Sequence, residues 1–385
     1  MGSKKIAIIS NSAFSLVNFR SHFIRELTNR GYQVFALAPD YIDDFRTQIE
    51  EAGAKPVDIF MERTGLNIAK DIGAVYSIYR TIKKLKTDVT FSYGIKPVIY
   101  GLWASRLAKV KNQFAMIAGL GTVYVERENA SLKEISTKKI ANLLYKTSLQ
   151  FADTVFFQNP DDIQLFVEND MVEGEKTQLI NGSGVDTKYY STSKVQQDPI
   201  TFTLVSRLIK EKGIYEFVGA ARTLKAKYPQ KDIRFILLGD VDANPNSVQK
   251  TELESWVNED IITWPGHVSN VKEWLEKTSV FVLPTYYREG TPKSILEAMS
   301  MGRPVITTDM PGCREAVKDG ENGFLISPKD VTALISAMST FIETPTLIAS
   351  MGKISREVAL EKYDVRMVNE DIFKGMGIDV NQSSG

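Results

Sequence analysis

Residues 281–304, FVLPTYYREGTPKSILEAMSMGRP, have the pattern of a buried strand, a short loop and a helix. Phe281, Val282 and Leu283 form an apolar run that Pro284 ends. Thr291 reads as the helix N-cap and Pro292 as its first residue, because proline suits a position that needs no backbone donor. Gly302 and Pro304 stop the helix. Two acids flank the turn: Glu289 at the helix mouth, and Glu297 about a turn and a half inside, at roughly 3.6 residues per turn. Both can face the crevice beyond the strand's carboxyl end, where open α/β sheets bind ligands. Free amides after Gly290 would favour an anion there. A plainer reading competes: Lys293 and Glu297, spaced i,i+4, form a surface ion pair of little value, and Glu289 merely suits a helix N-terminus. Glu297, however, interrupts the apolar run Ile295, Leu296, Ala298, Met299, where a carboxylate needs a partner.

The chain around this stretch has 385 residues, enough for two ordinary domains. Its 47 basic and 47 acidic side chains cancel, so no global signal for a polyanion partner exists. One cysteine, Cys313, excludes an intramolecular disulfide and fits a reducing compartment. Two histidines, His22 and His267, exclude a histidine-rich metal site. No apolar span long enough to cross a membrane is present, and the start MGSKKIAIIS reads as a strand, not a signal peptide.

Strand and helix alternate on both sides of a polar, turn-rich segment, NGSGVDTKYYSTSKVQQDP. We therefore expect an α/β chain with one Rossmann-like domain over 1–183, a linker over 184–199 and a second over 200–362. A last helix over 363–378 packs back on the first domain, and a disordered tail covers 379–385. In the first half, Ile6–Ile9 reads as a strand, 10–19 as a loop and Arg20–Asn29 as a helix. The loop carries Ser10, Asn11 and Ser12 in place of a GxGxxG fingerprint, which disfavours NAD. In the second half, strands are expected at 202–205, 235–238, 261–264, 280–283 and 305–307.

Arg207 and Lys212 follow the second domain's first strand, in SRLIKEKG. Two fixed cations there can clamp a diphosphate and stabilise leaving-group charge. Asp240 and Asp242 form a DxD pair in GDVDANP that could hold a divalent cation, but an Asx-turn explains it equally and the cations make a metal unnecessary. No metal and no cofactor is expected. Between Arg80 and Gln150 stand 13 basic and 4 acidic residues, 13 minus 4 giving a local +9. Tyr76, Ile78, Tyr79, Ile82 and Leu85, then Ile135, Ile140, Leu143, Leu144 and Tyr145, are interleaved with them. Such basic amphipathic helices lie on anionic lipid, or else bury their apolar side in an ordinary core. A nucleic-acid patch is disfavoured for want of a binding motif.

Arg207 with Lys212, the acids Glu289 and Glu297, and the phrase EGTPKSILEAMSMGRPVITTD closely resemble family 4 of the retaining GT-B glycosyltransferases. The likeness spans nearly the whole chain. The loops at Gly119–Gly121 and 239–245 are similar to a narrower group, bacterial transferases that extend polyprenyl-diphosphate-linked saccharides from UDP-N-acetylgalactosamine or UDP-galactose. The resemblance implies two Rossmann-like domains facing a central cleft, and a cytoplasmic enzyme peripheral on the inner face of the membrane. It implies that Glu297 holds the ribose of UDP, that Arg207 and Lys212 bind the diphosphate, and that Glu289 bonds donor-sugar hydroxyls. Gly290, Thr291 and Pro292 would line the pocket and Val268 would meet the uracil. Ser10 to Phe14, with Asn11 and Ser12, would face donor phosphate and acceptor. The family often has a histidine near the donor sugar; here SYGIKPVIYG has Ile95 or Lys96, and Lys96 is the substitute we name. The implied mechanism is front-face displacement, with the leaving diphosphate taking the acceptor's proton. Two competing classes are a GT-B-fold UDP-sugar 2-epimerase and a non-catalytic subunit of a glycan assembly complex.

Overall fold

The computed structural model describes residues 3–62, 65, 67–125, 131–241 and 246–378. The chain divides into two compact units: residues 1–183 with 366–385, and Gly184–Val365. The expected tail over 379–385 lies outside the described residues.

The first unit runs β1 (Lys5–Ile9), α1 (Ala13–Asn29), β2 (Gln33–Ala38), α2 (Asp43–Glu51), β3 (Lys55–Asp58), α3 (Ile68–Leu85), β4 (Val89–Tyr93), α4 (Ile95–Ala108), β5 (Asn112–Ile117), α5 (Leu132–Leu149), β6 (Thr154–Phe157), α6 (Pro160–Glu168) and β7 (Thr177–Leu179). Its sheet is wholly parallel, in the order β3-β2-β1-β4-β5-β6-β7. The order reverses between β1 and β4. Strands such as Phe114–Ile117 are apolar on both sides because helices cover both faces, and two separate cores result. Local chemistry sets the helix starts: Ser131 and Glu134 form a capping box on α5, and Asn159 caps α6 just before Pro160.

One expectation fails here. The loop read over 10–19 is only Ser10–Ser12, and α1 begins at Ala13. The Asp40 carboxylate accepts the Ala13 amide at 2.5 Å, so a residue beyond β2 supplies the cap that the local sequence lacks.

The second unit runs β8 (Ile200–Val205), α7 (Ile214–Lys227), β9 (Ile233–Leu238), α8 (Lys250–Asn258), α9 (Val271–Glu276), β10 (Val280–Leu283), α10 (Lys293–Ser300), β11 (Val305–Thr308), β12 (Gly323–Ile326), α11 (Val331–Glu343) and α12 (Thr346–Lys362). Its parallel sheet has the order β12-β11-β10-β8-β9, reversing between β8 and β10. The strand expected at 261–264 is a single bridge, Ile236 to Thr263, and β12 was not foreseen.

The segment expected as a linker, 184–199, is instead part of the second unit. Arg303, fully buried, donates to the Ser193 carbonyl at 3.0 Å and hydroxyl at 2.8 Å, and to the Leu275 carbonyl at 2.9 Å. Arg356 donates to the carbonyls of Thr187 at 3.2 Å, Tyr190 at 3.1 Å and Ser300 at 2.6 Å. The two guanidiniums therefore hold the segment's backbone by hydrogen bonds.

The last helix, α13 (Val365–Gly375), belongs to the first unit from Arg366 onward. Phe373 stacks on Phe23 with centroids 5.2 Å apart, and Arg30 pairs with Glu370. Among the described residues no single helix is long and apolar enough to cross a membrane. Only α11 and α12 together pass that test, bent by 108°, and both contribute buried residues to the second unit's core.

Candidate active site

The second unit's order reversal places the loops after β8 and β10 side by side at the carboxyl ends of adjacent strands. The chain closes them together tightly. The Glu211 carbonyl accepts three bonds from the β10 loop: Thr285 Oγ1 at 3.0 Å, Tyr286 N at 2.8 Å and Tyr287 N at 3.1 Å. Gly213 has φ +77°, and a Cβ there would lie 2.3 Å from the Pro284 carbonyl oxygen, so only glycine fits. A third loop, after β11, presses on the same place. A Cβ on Gly312, at φ +86°, would lie 1.4 Å from the Gly290 carbonyl oxygen.

Inside this frame Lys212 Nζ pairs with Glu289 Oε1, the two side chains 10% and 12% exposed. Thr285 Oγ1, whose proton goes to the nearer Glu211 carbonyl, also lies 3.4 Å from Glu289 Oε1. Tyr287 lies beneath two cations, with the Arg207 guanidinium 5.6 Å and Lys212 Nζ 5.2 Å from its ring centre. Three residues named from sequence for one diphosphate-and-sugar pocket, Arg207, Lys212 and Glu289, are thus brought together. Cys313 is packed nearby; burial first, and the Glu289 charge second, push its thiol up to about 12, which leaves it inert.

Pro292, not Thr291, is the N-cap of α10: its ψ of 118° is extended, and its carbonyl accepts from Ile295 N at 3.1 Å. Glu297 is 7% exposed. The i,i+4 ion pair with Lys293 exists at 3.4 Å, but it is no surface pair, because the Glu297 side chain is only 10% exposed. Sequence reasoning missed a further neighbour. The Tyr190 phenol lies beside the Glu297 carboxylate; burial, and then that charge, push its pKa up. Tyr190 is fixed through its carbonyl, which accepts from Ser300 Oγ of the same helix at 2.7 Å.

After β9, Gly239 N donates to the Gly266 carbonyl at 3.2 Å, and Trp264 Nε1 donates to the Gly239 carbonyl at 2.9 Å. This pins the 264–266 segment, and Val268, two residues beyond it, is half-buried. Asp240 Oδ1 accepts from the Val241 amide at 2.8 Å, and Asp242, on which both the turn and the metal reading of the DxD pair depend, lies outside the described residues.

The remaining named residues belong to the first unit. Ser12 is the N-cap of α1, and its amide donates to Ser10 Oγ at 3.2 Å. Gly94, the N-cap of α4 with φ +87°, stands across from Asn11, whose Oδ1 would be 3.9 Å from a Cβ placed there. Asn11, Ser12 and the α4 start therefore meet at that unit's own order reversal, between β1 and β4. Ile95 opens α4. Lys96 Nζ pairs with Asp71 Oδ1 of α3 at 3.1 Å, so the residue named in place of the family histidine already has a carboxylate partner. The interleaved apolar residues divide: Ile78, Ile82 and Tyr145 are core, whereas Tyr76, Ile135, Ile140 and Leu143 are exposed. Arg127 lies outside the described residues.

Two parallel α/β units, each with its order reversed beside the first strand, have the GT-B fold of solved glycosyltransferases. Residues 199–344 match the family model for glycosyl transferases group 1. It is 27% identical, over 96% of its length and 97% of the relative's, to the N,N'-diacetylbacillosaminyl-diphospho-undecaprenol alpha-1,3-N-acetylgalactosaminyltransferase of Campylobacter jejuni. It is 25% identical, over 82% of its length and 81% of the relative's, to the UDP-Gal:alpha-D-GlcNAc-diphosphoundecaprenol alpha-1,3-galactosyltransferase of Escherichia coli. Among solved structures, sucrose-phosphate synthase from Thermosynechococcus elongatus superposes with a TM-score of 0.78 at 19% identity, covering 96% of this chain and 98% of that one. Anabaena HepE, solved with UDP and glucose, gives 0.74 at 18% identity, covering 97% of this chain and 99% of that one. At these identities the structural likeness carries the fold alone.

Proposed function

We propose that this enzyme transfers a sugar, N-acetylgalactosamine or galactose, from its UDP donor to a polyprenyl-diphosphate-linked saccharide in bacterial surface-glycan synthesis, with retention at the anomeric carbon. The observation that carries the reading is the buried Lys212–Glu289 pair beside Arg207, at the carboxyl ends of β8 and β10. The near full-length likeness to a transferase acting on a diphospho-undecaprenol saccharide supports the acceptor class.

In this account Glu297 accepts bonds from both ribose hydroxyls, held by Lys293 and Tyr190. Arg207 and Lys212 meet the diphosphate. Lys212 exchanges Glu289 for phosphate oxygens, which frees the Glu289 carboxylate to accept from sugar hydroxyls. The anomeric carbon–oxygen bond to the diphosphate breaks, the acceptor hydroxyl oxygen forms the new bond on the same face, and its proton passes to the leaving diphosphate. The protein supplies position and fixed positive charge, with no metal needed.

The exposed side chains Ile68, Ile72 and Tyr76 of α3 and Leu132, Ile135, Ile140 and Leu143 of α5, among the lysines of those helices, support docking of the first unit on anionic lipid. Vesicles containing anionic lipid should float the protein at low salt and release it at high salt.

The test is a screen of UDP-sugars against a short-chain polyprenyl-diphosphate saccharide, with linkage analysis and added chelator. The expected result is one retained α-linked product, formed equally with chelator. Epimerised UDP-sugar without acceptor, or UDP binding without any turnover, overturns the reading. Tyr190→Phe should weaken UDP binding about fivefold, the worth of one hydrogen bond, with turnover at saturating donor unchanged. Unaltered affinity in a calorimetric titration removes Tyr190 from the site.

A further inference from the structure

Arg20 lies near the middle of α1, turned toward the sheet and only 1% exposed. Its guanidinium carbon is 4.8 Å from the ring centre of Tyr93 and 6.0 Å from that of Phe91. Nη2 meets only the thioether of Met116, a weak acceptor, and Nε is buried with no acceptor. Among the described residues the one titratable group acting on it is the Tyr93 phenol, and no carboxylate does so. Burial pulls its pKa down to about 10, which still leaves a cation at neutral pH. The Tyr93 hydroxyl is likewise buried, with no carboxylate or carbonyl acceptor among the described residues. The Ser10 and Ser15 hydroxyls are close to it.

Position gives this cluster its meaning. Tyr93 ends β4 and Ser10 follows β1, so the group sits at the carboxyl ends of the two strands where the first unit's order reverses. A helical side chain leans toward the N-terminus of its helix, which carries the Arg20 guanidinium toward that same end. Two buried donors, one of them charged, lie there with only a thioether and hydroxyls as acceptors among the described residues. An apolar residue in place of an unpaired buried cation makes a fold more stable, so stability does not explain Arg20. An oxyanion between Arg20 Nε and the Tyr93 hydroxyl would satisfy both donors with charge-assisted bonds.

We propose that Arg20 and Tyr93 bind a phosphate oxygen of the acceptor's lipid diphosphate. This rests on the acceptor class proposed above. The Ser15 hydroxyl is a further donor to the same anion; the Ser10 hydroxyl donates to the Ser12 carbonyl at 3.1 Å, and the Asp40 carboxylate, whose charge also acts on Tyr93, accepts from Ala13 N at 2.5 Å.

The test uses the full chain carrying Arg20→Met, Arg20→Lys or Tyr93→Phe. The readouts are the KM for a short-chain polyprenyl diphosphate bearing one N-acetylhexosamine, the Kd for UDP, and the Tm. Arg20→Met should raise the acceptor KM at least about tenfold, as expected for a lost charge-assisted contact, and Arg20→Lys should restore part of it. UDP affinity should stay within about twofold and Tm should hold or rise, because a desolvated charge has gone. Tyr93→Phe should raise the acceptor KM about fivefold at constant Tm. An unchanged acceptor KM overturns the proposal. So does misfolding or a lower Tm in Arg20→Met with both substrates weakened alike, the mark of a structural role. Loss of UDP affinity alone would move the anion to the donor and overturn it too. Failure of the wild type to use any lipid-diphosphate acceptor would instead defeat the function proposed above.

Discussion

Lys212→Ala should lower turnover by about a hundredfold, the usual cost of removing one preorganised charge from a developing anion. Lys212 is 8% exposed and faces Glu289, so the substitution acts twice. It removes positive charge from the place where the diphosphate leaves. It also strands a carboxylate that is 12% exposed, at a cost of up to about 3–5 kcal/mol for a broken buried pair. With Lys212 gone the Thr285 hydroxyl, 3.4 Å away, can turn from the Glu211 carbonyl to Glu289, which puts the loss at the low end of that range. The two effects separate in the double variant Lys212→Met, Glu289→Gln. With no orphaned charge its Tm should return toward wild type, while turnover stays low. Wild-type turnover in Lys212→Ala would remove this lysine from the chemistry.

Gly312→Ala should abolish turnover to below about one per cent and lower Tm by several degrees, because its mechanism is backbone strain plus a clash that nothing flexible can absorb. Gly312 has φ +86°, and its new methyl would sit 1.4 Å from the Gly290 carbonyl oxygen and 3.0 Å from that of Glu289. Both obstacles are main chain, so the loop that carries Glu289 must move. Gly320→Ala is the control. It has φ +75° with no heavy atom within 4 Å of the new carbon, so it should cost only about 1 kcal/mol of strain and leave turnover intact. Equal effects at the two positions would show that the close approach of Gly312 to Gly290 is not what shapes the site.

The strand–loop–helix at 281–304 was legible because its signals are local: an apolar run, a proline that ends it, and glycine beyond the helix. The same holds for the acids and cations of the site, whose residue types at strand ends carry their own chemistry. What escaped depends on distant residues. The start of α1 is set by Asp40, 27 positions on. The segment 184–199 looks solvated by composition, yet its backbone is held by Arg303 and Arg356, which bind Ser193 and Tyr190 from 110 and 166 positions away. Arg20 resembles any helical arginine in sequence, and its burial against Tyr93 becomes visible only when α1 is laid on β4. Tyr190 meets Glu297 for the same reason.

The central claim is that UDP occupies the carboxyl-end loops of the second unit. Amide hydrogen exchange with and without saturating UDP tests it most directly. The account expects protection confined to residues 206–213, 264–268 and 285–297 and lost in Glu297→Ala. UDP-dependent protection that leaves 206–213 and 285–297 unchanged, or that persists undiminished in Glu297→Ala, would contradict it.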